Sequence, residues 1–189
     1  VFLGGVQPSL DPIEAQKHCD SLFIGIADHT FPQALSDYLN KDLKPVYRES
    51  SECVSISNRP MPRRDLLKPK AYITENSVEA IRGCTLPCTF CAYPAAFGRK
   101  LVARPVKDVI AEIEQLKGKY VLFPDVNLIS DMEYAKELFK AMIPLKKKWF
   151  GLTKSHVGYD KEFFKVLEKS GCKGLLIGFE SVNQDAQGY

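Results

Sequence analysis

The sequence predicts an α/β fold built on a parallel sheet. Three observations predict it. Short apolar runs alternate with amphipathic stretches along nearly the whole chain, most of the amphipathic stretches open or close on capping residues, and the apolar runs are continuous, as in strands covered on both faces.

Val1 to Leu3 reads as a strand that ends in Gly4-Gly5. Asp11-Pro12 then opens a helix to about Cys19, with Glu14 three residues after the cap. Leu22 to Ile26 makes the next strand, and Thr30 with Gln33 repeats the capping spacing for a helix to about Leu39. From Lys41 to about Ser77 the chain is rich in Pro, Ser, Arg and Lys without a sustained period, and "RPMPRRDLLKP" is its least helix-compatible part.

A regular order follows: a strand at Val78 to Ile81, a cysteine loop, a helix from Pro105 to Lys117, a strand at Tyr120 to Phe123 and a helix from Asp131 to Ile143. Then come a strand at Trp149 to Thr153, a helix from Asp160 to Ser170 and a strand at Gly174 to Phe179. Val106, Val109, Ile110, Ile113 and Leu116 share one helix face, and Gly118 and Gly171 stand where left-handed caps belong. Ser130 with Glu133 forms a capping box, and Pro144 closes that helix. Such βα repeats build either an open doubly wound sheet or a barrel, and in both the chemistry sits at the carboxyl ends of the strands. The cysteine loop, Asp125, Asn127, Ser155 and Glu180 all follow strand ends.

With 189 residues, 45% of them hydrophobic, the chain can bury a core of one domain or parts of two. No apolar run approaches the roughly 20 residues of a membrane-spanning helix, and the start lacks a secretory signal, so no membrane span and a cytoplasmic location are expected. Lys and Arg total 26 against 23 for Asp and Glu, and the excess is dispersed, so no nucleic-acid partner is expected. The chain opens inside a strand without an initiating Met and stops just after another, as a piece of a longer protein would.

"RGCTLPCTFCAYP" crowds Cys84, Cys88 and Cys91 together, whereas Cys19, Cys53 and Cys172 stand singly, a distribution that fits a metal site in a reducing compartment. Pro87 and Pro94 push Leu86 and Tyr93 out of the helical region, so the thiols belong to an irregular loop. A structural zinc site wants four ligands, and three thiolates on an iron–sulfur cube leave one iron open. A zinc-stabilised binding module and an iron–sulfur enzyme therefore both remain readings of the loop.

CxxxCxxC with Phe90 before the last cysteine resembles the signature of radical S-adenosylmethionine enzymes. "GGVQPSLDPIEAQKHCDSLFIGIADHTFPQALSDYL", "RPMPRRDLL", "AYITENSVEAIRGC", "RPVKDVIAEIEQL", "YAKELFKAMIPLKKKW" and "SGCKGLLIGFESVN" resemble the cobalamin-dependent branch of that family. The resemblance implies part of a Rossmann-like cobalamin-binding domain over 1–45, a linker over 46–75 and the first half of a radical S-adenosylmethionine (βα)6 partial TIM barrel over 76–189. It implies a 4Fe-4S cluster on Cys84, Cys88 and Cys91, with S-adenosylmethionine on the open iron and cobalamin as a further cofactor.

By the same resemblance Phe90 borders the adenine, Asp125 and Asn127 receive the methionine amino group, and Glu180, with Ser155, accepts from the ribose hydroxyls. Gly4 and Gly5 would let the cobalamin tail approach the backbone. The bland readings are an Asn/Asp turn at 125–127 and a plain tight turn at the glycines. The implied activity is reductive cleavage of S-adenosylmethionine in methyl transfer or a related radical transformation, on a small-molecule substrate, with an electron donor such as flavodoxin or ferredoxin. Val126 and Leu152 stand where the family often carries an acid and a Gln, and "GIAD" keeps only Asp28 of an acid pair. A catalytically impaired remnant and a methylthiotransferase-like protein without cobalamin are the alternatives.

Overall fold

The computed structural model describes residues 1–49, 55–57, 59–68 and 71–180, so Cys53 and the residues after Glu180 lie outside the described set, as do the side chains of His156 and Tyr159. The chain divides into two compact units, Val1–Ser55 with Leu86–Lys100, and Ile56–Thr85 with Leu101–Tyr189.

In the first unit three parallel strands, β1 (Phe2–Leu3), β2 (Ser21–Ile24) and β3 (Val46–Arg48), pair in chain order. All four residues of β2 are buried: Leu22 and Ile24 pack with Ala15, while Phe23 packs with Ala34 and Tyr47. Cover on both faces explains its unbroken apolar run. The Phe23 and Tyr47 rings stack at 5.3 Å. β3 falls within the stretch expected to be irregular connector.

Helix α2 (Pro12–Gln16) starts where expected, the Asp11 carboxylate accepting from the Glu14 amide at 3.3 Å, but it ends before Cys19. A further helix, α1 (Val6–Leu10), which the sequence reading did not include, precedes it. α3 (Thr30–Leu39) begins on its predicted cap residue, so the observed cap lies one residue earlier. Thr30 is already in the first turn and buried, so no capping box forms and His29 stands at the cap position. α4 (Tyr93–Phe97) corrects the extended conformation expected at Tyr93, because Pro94 sits in the first turn, where its missing N–H breaks no helical bond.

In the second unit the expected strand at Val78 to Ile81 is interrupted. Residues 76–78 run parallel to β6 (Tyr120–Leu122), with the Val78 amide on the Leu122 carbonyl and the Leu122 amide on the Asn76 carbonyl, both 2.9 Å. β4 (Ile81–Arg82) then pairs antiparallel with β5 (Val102–Ala103), so this unit releases and recovers the chain at adjacent points on either side of the cysteine loop.

Helix α5 (Val106–Gln115) leads to β6, α6 (Met132–Met142) to β7 (Lys148–Thr153), and α7 (Lys161–Ser170) to β8 (Cys172–Ile177); β6, β7 and β8 are parallel neighbours in chain order. Successive helices pack on one another over one core, centred on Phe123, Leu138, Phe139, Trp149 and Phe163. The cap of α6 is Asp131, one residue beyond the predicted Ser130; its carboxylate accepts from the Glu133 and Tyr134 amides. Gly171 closes α7 at φ 93°, where a Cβ would collide with the Lys147 carbonyl. Among the described residues no helix is long and apolar enough to cross a membrane.

Candidate functional site

The second unit gathers several of the predicted residues at one edge, because parallel strands present all their carboxyl ends on the same side. Asp125 and Asn127 follow β6, Ser155 follows β7 and Glu180 follows β8, while Cys84 lies two residues past β4. They differ sharply in exposure. Asp125 and Asn127 are buried at 3% and 4%, whereas Ser155 and Glu180 are exposed.

Asp125 Oδ1 accepts from the backbone amides of Ala80, at 2.9 Å, and of Ile81; its Oδ2 is buried with no hydrogen-bond partner. Burial pushes its carboxyl up to about 7 against the opposing pull of the two amides. Asn127 Oδ1 accepts from the Thr153 hydroxyl at 3.3 Å, and its carbonyl accepts from the Ser130 amide and hydroxyl. Asn127 therefore also serves the local turn and ties β6's end to β7's. Ser155 opens a 3-10 turn over 155–159. Glu180 holds φ 58°, a left-handed backbone, and its side chain folds back over Gly178.

The cysteine loop spans the division between the units, Cys84 belonging to the second and Cys88 and Cys91 to the first. From Gly83 to Ala92 it contains neither helix nor strand. All three thiols are free and half-buried, and the Cys91 amide donates to the Cys88 carbonyl at 3.3 Å. Among the described residues no three His, Cys, Asp or Glu side chains are grouped closely enough to hold a metal. The donor chemistry nevertheless fits an iron–sulfur cluster, which is ligated by thiolates, and an irregular loop restrained by few backbone bonds can adjust around it. Phe90, in the same loop, is 59% exposed. Cys172 instead packs against the core, and burial raises its thiol.

Gly4 and Gly5 join β1 to α1 in the first unit. Gly5 has φ 108°, and its carbonyl accepts from the Ser9 hydroxyl at 2.7 Å. The same Ser9 oxygen accepts from the Gly25 amide at 2.9 Å. Beside them, at the carboxyl ends of β2 and β3, lies a cavity of about 510 Å³ lined by Ser9, Gly25, Arg48, Glu49 and Phe97 among others.

A buried ionic network had not been foreseen. Glu112 on α5, 4% exposed, accepts from Arg104 at 2.7 Å and from Arg64 at 2.5 Å; Arg64 also donates to the carbonyls of Glu75 and Ser77. Arg59 and Arg82 both pair with Glu79. The signal for it lies in α5, where an acid at 112 interrupts the stripe of Val109, Ile113 and Leu116: an acid on an apolar face needs a buried cation.

The Radical SAM superfamily model matches residues 78–189. Bacteriochlorophyllide d C-12(1)-methyltransferase of Chlorobaculum tepidum is 29% identical over 194 residues, covering 98% of this chain and 42% of that protein. Cytidylyl-2-hydroxyethylphosphonate methyltransferase of Streptomyces wedmorensis is 32% identical over 105 residues, covering 53% of this chain and 20% of that protein. In fold, the chain is similar to the radical S-adenosylmethionine methyltransferase TsrM from Kitasatospora setae, solved with cobalamin and a 4Fe-4S cluster bound. The TM-score is 0.73 at 16% identity, covering 98% of this chain and 43% of that one. The chain thus spans less than half the length of these relatives. The family match takes in the strand that launches the cysteine loop, all three clustered cysteines and every βα unit of the second half: this chain belongs to the radical S-adenosylmethionine superfamily.

Proposed function

We propose that this chain is part of a cobalamin-dependent radical S-adenosylmethionine methyltransferase. In this reading residues 1–45 are part of a cobalamin-binding domain, 46–75 a linker and 76–189 the first half of a (βα)6 barrel. One observation carries it: the likeness to methyltransferases runs over 98% of the chain, through the half without the cysteines as well as the half with them. A zinc module would give no account of that first half.

When bound, the cluster supplies an electron to S-adenosylmethionine and cobalamin carries the methyl group. The chain's own residues bind and orient. Cys84, Cys88 and Cys91 are the cluster ligands. Phe90, exposed beside them, covers the adenine. Asn127, Ser155 and Glu180 line the strand ends, where an exposed Glu180 carboxylate offers two acceptors to a ribose diol. Gly4, Gly5 and the neighbouring cavity receive part of the cobalamin, and the open backbone at Gly5, where a Cβ would meet nothing within 4 Å, admits a close approach. The electron comes from a donor such as flavodoxin or ferredoxin, in the cytoplasm, and the methyl acceptor is a small molecule.

The test uses the full-length protein, purified without oxygen and reconstituted with iron, sulfide and cobalamin. The expected result is a 4Fe-4S complement, a cobalamin absorption spectrum, and S-adenosylhomocysteine formed on addition of a reductant and methyl acceptor. Zinc without iron would overturn the reading, and a cluster without cobalamin would move it to the methylthiotransferase class.

A further inference from the structure

The stretch from Glu79 to Arg82 delivers the chain to Cys84, and on the side facing β6 no regular ladder secures it; its last two residues pair only with the two-residue β5 on the other side. Parallel pairing with β6 stops at Val78. Beyond Leu122, the Phe123 amide turns to the Phe150 carbonyl on β7, and Pro124 has no amide at all. The amides of Ala80 and Ile81, both residues being fully buried, would then have no acceptor. Buried amides left without an acceptor lose their hydration with nothing in return, a heavy penalty for two adjacent groups.

Asp125 fills the gap. Its Oδ1 stands where the next carbonyl of a strand would be and takes both amides. The other side of the same stretch is held as well: the Ala80 carbonyl accepts from the Tyr134 hydroxyl at 3.1 Å and the Arg104 amide at 2.9 Å, and the Glu79 carbonyl accepts from Arg104 Nη1 at 2.7 Å. Side chains and a single amide, drawn from three segments, thus replace the ladder with β6 that stops at Val78. Asp125 Oδ1 is committed, and Oδ2 is enclosed by protein. Neither oxygen is presented at the surface as those of the exposed Glu180 are.

We propose that Asp125 is a positioning residue for the cysteine loop, acting through the backbone of Ala80 and Ile81 and not by touching the cofactor. This rests on the cluster reading above, and it gives Asp125 a task other than receiving the methionine amino group. A carboxamide can present the same acceptor atom, so the charge itself is dispensable.

The experiment compares full-length wild type, Asp125→Asn and Asp125→Ala by amide hydrogen exchange over residues 79–82, by iron retained after anaerobic reconstitution, and by S-adenosylmethionine affinity. Asp125→Asn is expected to keep the protection, the iron and the affinity within about twofold, while Asp125→Ala speeds exchange of this stretch at least about tenfold and loses most of the iron with the helices still protected. Should Asp125→Ala fail to fold, Asp125→Asn decides against wild type. Unchanged exchange in Asp125→Ala would overturn the proposal. So would an Asp125→Asn protein that keeps protection and iron but loses S-adenosylmethionine affinity, because the carboxylate would then be a cofactor contact. A wild type that takes up no iron sinks the cluster reading instead, and is recognised separately because the exchange comparison still reports whether Asp125 holds the strand.

Discussion

Arg104 and Glu112 meet at 2.7 Å with both side chains buried, the guanidinium arriving from the residue after β5 and the carboxylate from an otherwise apolar face of α5. Arg64 closes the carboxylate's other side at 2.5 Å. Removing the acid would leave two cations without their counter-charge, one of them buried. Glu112→Ala is expected to cost about 3–5 kcal/mol in chemical denaturation, and Arg64→Ala, at the more exposed end, about 1 kcal/mol.

Asp125 predicts the sign of a pH dependence. Its folded value, about 7, lies above the unfolded one because burial penalises the charged form. Between the two values the folded chain holds a proton that the unfolded chain has released. The contribution is thus fully present below the ordinary carboxylate range and is lost as pH rises through about 7. Unfolding free energies from denaturant titrations between pH 5 and pH 8 should fall by an amount on the order of 2–4 kcal/mol, and Asp125→Asn should flatten that slope. A slope that persists in Asp125→Asn would assign it to other groups.

Single replacements of Cys84, Cys88 or Cys91 by Ala are each expected to abolish stable iron uptake, since a three-thiolate donor set has no spare member. Cys172→Ala should leave iron content unchanged, because that thiol packs against the core of the second unit. Iron and sulfide analysis after anaerobic reconstitution checks both halves of the statement.

Phe139 stacks on Trp149 with ring centroids 4.3 Å apart and meets Phe123 and Phe163 at 6.4 and 6.2 Å. Truncating a fully buried ring at this junction of α6, β7 and α7 should cost about 3–5 kcal/mol, read as a lowered denaturant midpoint for Phe139→Ala. Phe164→Ala, whose side chain is 45% exposed, should cost less than half as much.

The strands β2, β6, β7 and β8 and the helices α5, α6 and α7 were legible because each carries its own period and punctuation. Asp160, whose carboxylate accepts from the Phe163 amide at 2.9 Å, marks the start of α7, and Gly171 marks its end. Where the reading went astray, local signals competed. Asp131 outbid Ser130 as a cap, since its carboxylate reaches two amides, and Pro94 opened α4 where it had been read as a breaker. The interruption of the first strand of the second unit was not legible, because it depends on where β6 stops and what lies beside it.

The sequence by itself determined the alternation of strands and helices, the parallel sheets and the crowding of three cysteines into one loop, since periodicity, caps and cysteine spacing act over a few residues and need no partner. Only the tertiary structure decided what meets across long separations: Asp125 with Ile81, 44 residues away, and Arg64 with Glu112, 48 away. A buried carboxylate must find donors, but which amide or guanidinium it finds is set by the packing of every element between them.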